Sequence, residues 1–147
     1  MTERTFKSIC VALEQLETAL RLFEVGEEYF SVITLAGAAE DIIRKQCEAK
    51  KIETSLASLQ KAATEIHKLL CPDEAHDEKA LKKQFADRAN YARNKIKHIN
   101  PSVEPFLIVD PAQEASDLLN RAIDNYYALE QNLTPAMRVF TDGQRNV

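Results

Sequence analysis

The sequence predicts an all-α protein, an antiparallel bundle of about five helices. Three observations point there. Apolar residues recur at alternating three- and four-residue intervals in every long segment, the period of one helix face. Only three glycines and five prolines interrupt the 147 residues. The remainder is rich in Ala, Leu, Glu and Lys, whose side chains lose little rotamer freedom in a helix. Apolar residues make up 45% of the chain, enough for one sizeable core, and the length is that of one domain. No internal repeat or low-complexity segment divides it.

The first helix is expected from about Glu3 to Val25, where Phe6, Ile9, Leu13, Leu16, Leu20 and Phe23 form one stripe and Gly26 supplies a stop. The second, about Glu27 to Lys50, turns Phe30, Ile33, Ala36, Ile43 and Cys47 inward. Its centre, Leu35-Ala36-Gly37-Ala38-Ala39, is small enough to admit another helix closely. A third helix, about Ser55 to Cys71, buries Leu56, Leu59, Ala63, Ile66 and Leu70 and ends at Pro72. The fourth spans about Asp77 to Ile99 with Leu81, Phe85, Ala89, Ala92, Ile96 and Ile99 on its apolar face. It stops before Asn100-Pro101, because the residue preceding proline is pushed out of the α region.

An extended stretch follows from Pro101 to Val109, in which Phe106 to Val109 are expected to cover one end of the bundle. Asp110-Pro111-Ala112-Gln113 then reads as a helix start, with Asp as cap, Pro at the first position and Gln closing a capping box. That fifth helix continues to about Asn132 through Ala115, Leu118, Ala122, Tyr126 and Leu129. Thr134-Pro135 opens one further turn, and the chain frays from Gly143. The bundle proper is thus assigned to residues 1–133 and a short turn and tail to 134–147.

The cysteines, Cys10, Cys47 and Cys71, are three in number and far apart, so no disulfide framework or zinc knuckle is indicated. Cys10 and Cys47 read as small core residues. Glu3, Arg4, Lys7, Glu14 and Glu17 are mixed through the first twenty residues, unlike a secretory leader. The longest uncharged helical run, Tyr29 to Ala39, is far short of the roughly 20 residues of a membrane span. A cytoplasmic location and no membrane association are therefore expected.

The formal charge of −4 argues against indiscriminate coating of nucleic acid, yet the charge is unevenly placed. Between Lys79 and His98 seven basic residues (Lys79, Lys82, Lys83, Arg88, Arg93, Lys95, Lys97) face one acid, Asp87. Within this segment stands Arg93-Asn94-Lys95-Ile96-Lys97-His98. The hexapeptide resembles the Arg-polar-x-x-x-His signature of the HEPN superfamily, all-α proteins that include many RNases of toxin–antitoxin and defence systems. The small helical bundle, the motif late in a helix, the run Leu35-Ala36-Gly37-Ala38-Ala39-Glu40-Asp41-Ile42 and the ending Lys97-His98 resemble that superfamily too.

The resemblance implies a homodimeric, metal-independent endoribonuclease without a cofactor, restrained by a partner protein such as an antitoxin. His98 would transfer a proton, since its ordinary pKa suits either role near neutrality. Arg93 would clamp the phosphate with its forked donors, and Asn94 would orient either neighbour. Lys95, Lys97, Lys82 and Lys83 would contact the RNA backbone. Two other readings stand beside this one: a non-enzymatic dimerisation or protein-binding module, and a helical partner domain of a nucleotidyltransferase.

Geometry constrains the enzyme reading. On a straight helix Arg93 and His98 lie about 140° apart, whereas Asn94 and His98 share a face. A kink, or a two-fold dimer bringing two copies of the fourth helix together, would relieve the mismatch. The alternative for Arg93 is a structural salt bridge to Glu40 or Asp41, for His98 a residue favoured by the helix C-terminus, and for Lys79, Lys82 and Lys83 a solvated face paired with acids. Elsewhere His67, Cys71, Asp73, Glu74 and His76 are metal-type ligands without a recognised spacing, and read as a surface turn.

Overall fold

The computed structural model describes residues 2–75 and 77–145. Among them lie seven α-helices and no strand: α1 (Ser8–Val25), α2 (Tyr29–Ala49), α3 (Ser55–Leu70), α4 (Glu78–Ala89), α5 (Tyr91–Lys97), α6 (Pro111–Glu130) and α7 (Pro135–Arg145). None is long and apolar enough to cross a membrane. The all-helical bundle is as the periodicity predicts.

The centre is a three-helix layer in which α2 packs along both α1 and α6. Leu16 and Leu20 of α1, Ile33 and Ile43 of α2, Leu118, Leu119 and Ile123 of α6 and Met137 of α7 fill it. α2 comes close to its neighbours because Ala36, Gly37 and Ala39 are small and fully buried. α3 and α4 form a hairpin joined to this layer through the side of α6, and α5 crosses α2.

Local chemistry fixes several helix ends. Gly26 adopts a left-handed φ of 80°, and its N–H bonds to the Phe23 carbonyl, which closes α1. The Thr54 hydroxyl caps α3 by accepting from the Ala57 N–H at 3.2 Å. Asp77 caps α4 by accepting from Lys79 and Ala80, both at 3.1 Å. Asp110 caps α6 through the Gln113 N–H at 3.1 Å, with Pro111 in the first turn. The Gln113 side chain does not close a capping box; it donates to Asp117 at 2.8 Å.

Several expectations from spacing are corrected. α1 starts at Ser8, because Lys7 is extended and offers no side-chain cap. Phe6 is consequently exposed, and so are Cys10 within α1 and Phe30 within α2. The expected helix from Asp77 to Ile99 is two helices, broken at Asn90, whose φ of −108° and ψ of 6° leave the α region. Phe106 and Ile108 do not cover the bundle, being 85% and 89% exposed.

The C-terminal segment is an eleven-residue helix instead of one turn, with Gly143 inside it. It docks because Phe140 stacks edge-on against Phe23 at 5.4 Å and the Thr134 hydroxyl bonds to Glu17. Both partners belong to α1, too distant in sequence for local pattern to register.

The largest correction is α3. Only Thr64 on it is buried, while Leu59, Ile66 and Leu70 are exposed, Leu70 at 76%. Its stripe packs mainly on α4 and one side of α6, and among the described residues most of the remainder is left uncovered. Gln60 ties the hairpin by donating to the Lys82 carbonyl at 2.7 Å. Truncation should separate core from surface: Leu119→Ala should lose about 2–5 kcal/mol, and Leu70→Ala within about 0.5 kcal/mol. Urea denaturation of the two variants checks this ordering.

Candidate functional site

The hexapeptide forms the last five residues and the C-cap, His98, of α5, a seven-residue helix anchored by buried Ala92 and by Ile96, which packs on the core. Arg93, beside Ala92, is thereby aimed at α2. Its Nη1 donates to Glu40 Oε2 at 3.2 Å, and Glu40 is only 1% exposed. The backbone of α2 makes room at Gly37, where an added Cβ would lie 2.6 Å from Arg93 Cδ and 2.8 Å from Cγ. The partner is Glu40 and not Asp41, which pairs with Arg44 and Lys45 at 2.5 and 2.7 Å. Those two cations hold the Asp41 carboxyl below its ordinary value, the Lys45 hydrogen bond being the largest cause.

Glu40 lies at the head of a polar chain through the core. Its Oε1 accepts from Asn125 Nδ2 at 3.4 Å, and Asn125 Oδ1 accepts from the Ser55 N–H at 2.7 Å. The Asn125 carbonyl accepts from the Cys47 thiol at 3.4 Å. Arg121 lies nearby, 6% exposed. Its Nη2 donates to Asn90 Oδ1 at 2.9 Å, across the break between α4 and α5. Its Nε and Nη1 have no hydrogen-bond partner among the described residues. Burial pushes its pKa below the ordinary value; Arg93 adds to that, and Glu40 opposes it.

The expected site residues are thus divided. Asn94 in the middle of α5 and His98 just after it are both exposed, linked by the His98 N–H bonding to the Asn94 carbonyl at 3.1 Å. Among the described residues no hydrogen bond or ion pair joins either side chain to Arg93. The bend at Asn90 precedes the motif and leaves the angular separation within α5 unrelieved.

The lysines are mostly engaged. Lys95 pairs with Glu104 at 2.6 Å, which raises its pKa, and lies 5.9 Å over the Tyr91 ring. Lys82 pairs with Glu78 at 2.7 Å and Lys83 with Asp87 at 2.5 Å. Lys97 is exposed.

Beside this centre a cleft of about 860 Å³ runs between α3, α4 and α6. Leu59, Phe85 and Ile108 supply apolar walls, and Arg88, Glu114 and Arg121 supply charge. Burial, with Asp117 adding, pushes the Glu114 carboxyl above its ordinary value.

Spacing alone did not single out Arg121, Asn125 and Asn90. A signal existed for the first two: Leu118, Arg121, Ala122 and Asn125 share the inward face of α6, where a guanidinium and an amide are out of place. Glu40 carries the same signal between Ala36 and Ile43. Comparison with protein-family models, curated proteins and solved structures finds no match.

Two outcomes follow from the geometry. Arg93→Ala strands the buried Glu40 carboxylate and should destabilise by about 3 kcal/mol. Gly37→Ala should cost about 1–3 kcal/mol by overpacking, but become neutral or stabilising in the Arg93→Ala background. Chemical denaturation of the four-member cycle reads that coupling.

For Glu114, the raised folded pKa means that ionisation above that value works against folding, and the cost vanishes once the carboxyl is protonated in both states. Glu114→Gln should therefore raise the melting temperature at pH 7 and lose the advantage below about pH 4. Melting curves across that range test the sign.

Proposed function

We propose that this chain is a HEPN-like helical module that acts by self-association, using the outer face of α3 and the connector from residue 98 to 110. One observation carries the reading: Leu59, Ile66, Leu69 and Leu70 of α3 and Phe106 and Ile108 of the connector are all exposed. Leu59 and Ile108 face one cleft. Exposed apolar surface of this kind marks interaction sites in folded proteins. A two-fold dimer would bury the same patch on both copies. The engagement of Arg93 with Glu40 supports a structural rather than a catalytic role for the arginine.

The second reading is the metal-independent endoribonuclease. It is favoured by the exposed pair Asn94 and His98, with Lys97 also exposed. In a dimer the second copy of α5 would have to supply what one chain does not converge. Arg93 would then act on the phosphate while still tied to Glu40.

Light scattering and RNA cleavage separate the two. Under the first reading the wild type is a dimer at micromolar concentration, Leu70→Glu with Ile108→Glu is a folded monomer, and His98→Ala changes no activity on single-stranded RNA in EDTA. Under the second, His98→Ala lowers cleavage by about two to four powers of ten. Cleavage lost in folded His98→Ala overturns the module reading, and a wild-type monomer removes self-association.

A further inference from the structure

We propose that His67, Cys71 and Glu74 form a binding site for a divalent cation of the zinc class where α3 hands over to α4. The spacing that looked irregular in sequence is resolved by the fold. His67 is in the last turn of α3, Cys71 is the residue that caps it, and the turn after Pro72 brings Glu74 back beside them. One ligand atom from each lies within 4.8 Å of the other two. His67 Nε2 and Glu74 Oε2 are 3.7 Å apart.

Four-coordinate zinc, with bonds of about 2.0–2.3 Å, sets its ligand atoms about 3.4–3.7 Å from one another. The imidazole and carboxylate already stand near that separation. The thiol lies within 4.8 Å of both, so a movement of roughly 1.4 Å at most joins it to them. Glu74 is well exposed, so its side chain can shift together with the thiol.

The chemistry of the set matches the geometry. Imidazole nitrogen, thiolate sulfur and carboxylate oxygen are the three donor types that zinc accepts, and harder cations such as magnesium do not favour the thiolate. A plain His67–Glu74 ion pair accounts for two of the groups and gives no reason for a thiol beside them. The surroundings attract a cation. From Glu65 to Glu78 there are five carboxylates, Glu65, Asp73, Glu74, Asp77 and Glu78, against one lysine, Lys68. The carbonyl end of α3 adds its partial negative charge.

On binding, the Cys71 thiol loses its proton to solvent and the sulfur bonds to the metal. His67 binds through Nε2 as neutral imidazole, Glu74 through one oxygen, and water completes the fourth position. Proton release makes the affinity rise with pH. The metal would fasten the end of α3 to the turn before α4, stabilising a hairpin that otherwise exposes most of its apolar stripe.

Cobalt is the probe, since Co²⁺ reports both coordination number and thiolate ligation. Titration of the reduced, EDTA-treated protein should give one equivalent of four-coordinate visible absorption together with a thiolate-to-cobalt charge-transfer band, displaced by Zn²⁺. Cys71→Ser should abolish the charge-transfer band. His67→Ala and Glu74→Gln should each weaken binding by about tenfold or more. Cys10→Ser, which changes the exposed thiol in the first turn of α1, should bind as the wild type.

Zn²⁺ should also raise the melting temperature of the wild type and not of Cys71→Ser. Glu74→Gln, on the exposed turn, keeps the test open if a helix variant unfolds. Absence of the charge-transfer band, unchanged affinity in Glu74→Gln, or binding only at millimolar cobalt overturns the site.

Discussion

The structure depends on one buried carboxylate. Glu40 sits in the middle of α2, 1% exposed, where an unpaired charge would cost several kcal/mol. Its two oxygens therefore dictate what surrounds them. Arg93 must approach from α5 and Asn125 from α6, so three helices are held in register about one group. Gly37 follows from the same demand: the methylenes of Arg93 cross α2 where any side chain would collide with them. Asn125 then carries the constraint outward to the first residue of α3 and to the Cys47 thiol. Apolar packing supplies the bulk of the core and is non-directional. This polar chain adds directional contacts.

That constraint explains why the arginine and histidine of the hexapeptide separate. α5 is short, and buried Ala92 with core-packed Ile96 fixes its rotation. Once Arg93 is turned toward Glu40, Asn94 and His98 are carried round the helix into solvent. The bend at Asn90 belongs to the same network, since the Asn90 side chain accepts from Arg121. Two guanidinium groups near one carboxylate leave the centre with excess positive charge, and Glu114 and Asp117 of α6 lie close enough to act on Arg121. The neighbouring cleft inherits this mixed field beside its apolar walls.

The fold was legible where a helix buries its own stripe. α1, α2 and α6 do so, and their apolar positions at three- and four-residue intervals correspond to the central layer. Legibility failed where burial depends on a distant element. α7 is a full helix because Phe23 and Glu17 receive it, and nothing within residues 135–145 announces them. α3 failed in the opposite sense: its stripe is present but is not covered within one chain. The polar centre was half legible. Glu40, Arg121 and Asn125 each interrupt an apolar face, a mark of a buried polar group, although spacing does not say which of them will meet.

The basic segment shows how a charge count along the chain misstates a surface. Counted from Lys79 to His98 it holds seven cations and one acid, but Glu78 and Glu104 stand outside those limits in sequence and inside them in space. Lys82 is neutralised by Glu78, Lys83 by Asp87, Lys95 by Glu104 and Arg93 by Glu40. Among the described residues no ion pair involves Lys79, Arg88 or Lys97. Exposed pairs such as the first three contribute little to stability. They do reduce the charge offered to a polyanion, because each paired lysine must give up a carboxylate before it can replace a counterion on a phosphate. The surface around α4 and α5 is thus far weaker as a nucleic-acid track than seven cations suggest, and the apolar face of α3 and the connector is the stronger candidate for contact with another molecule.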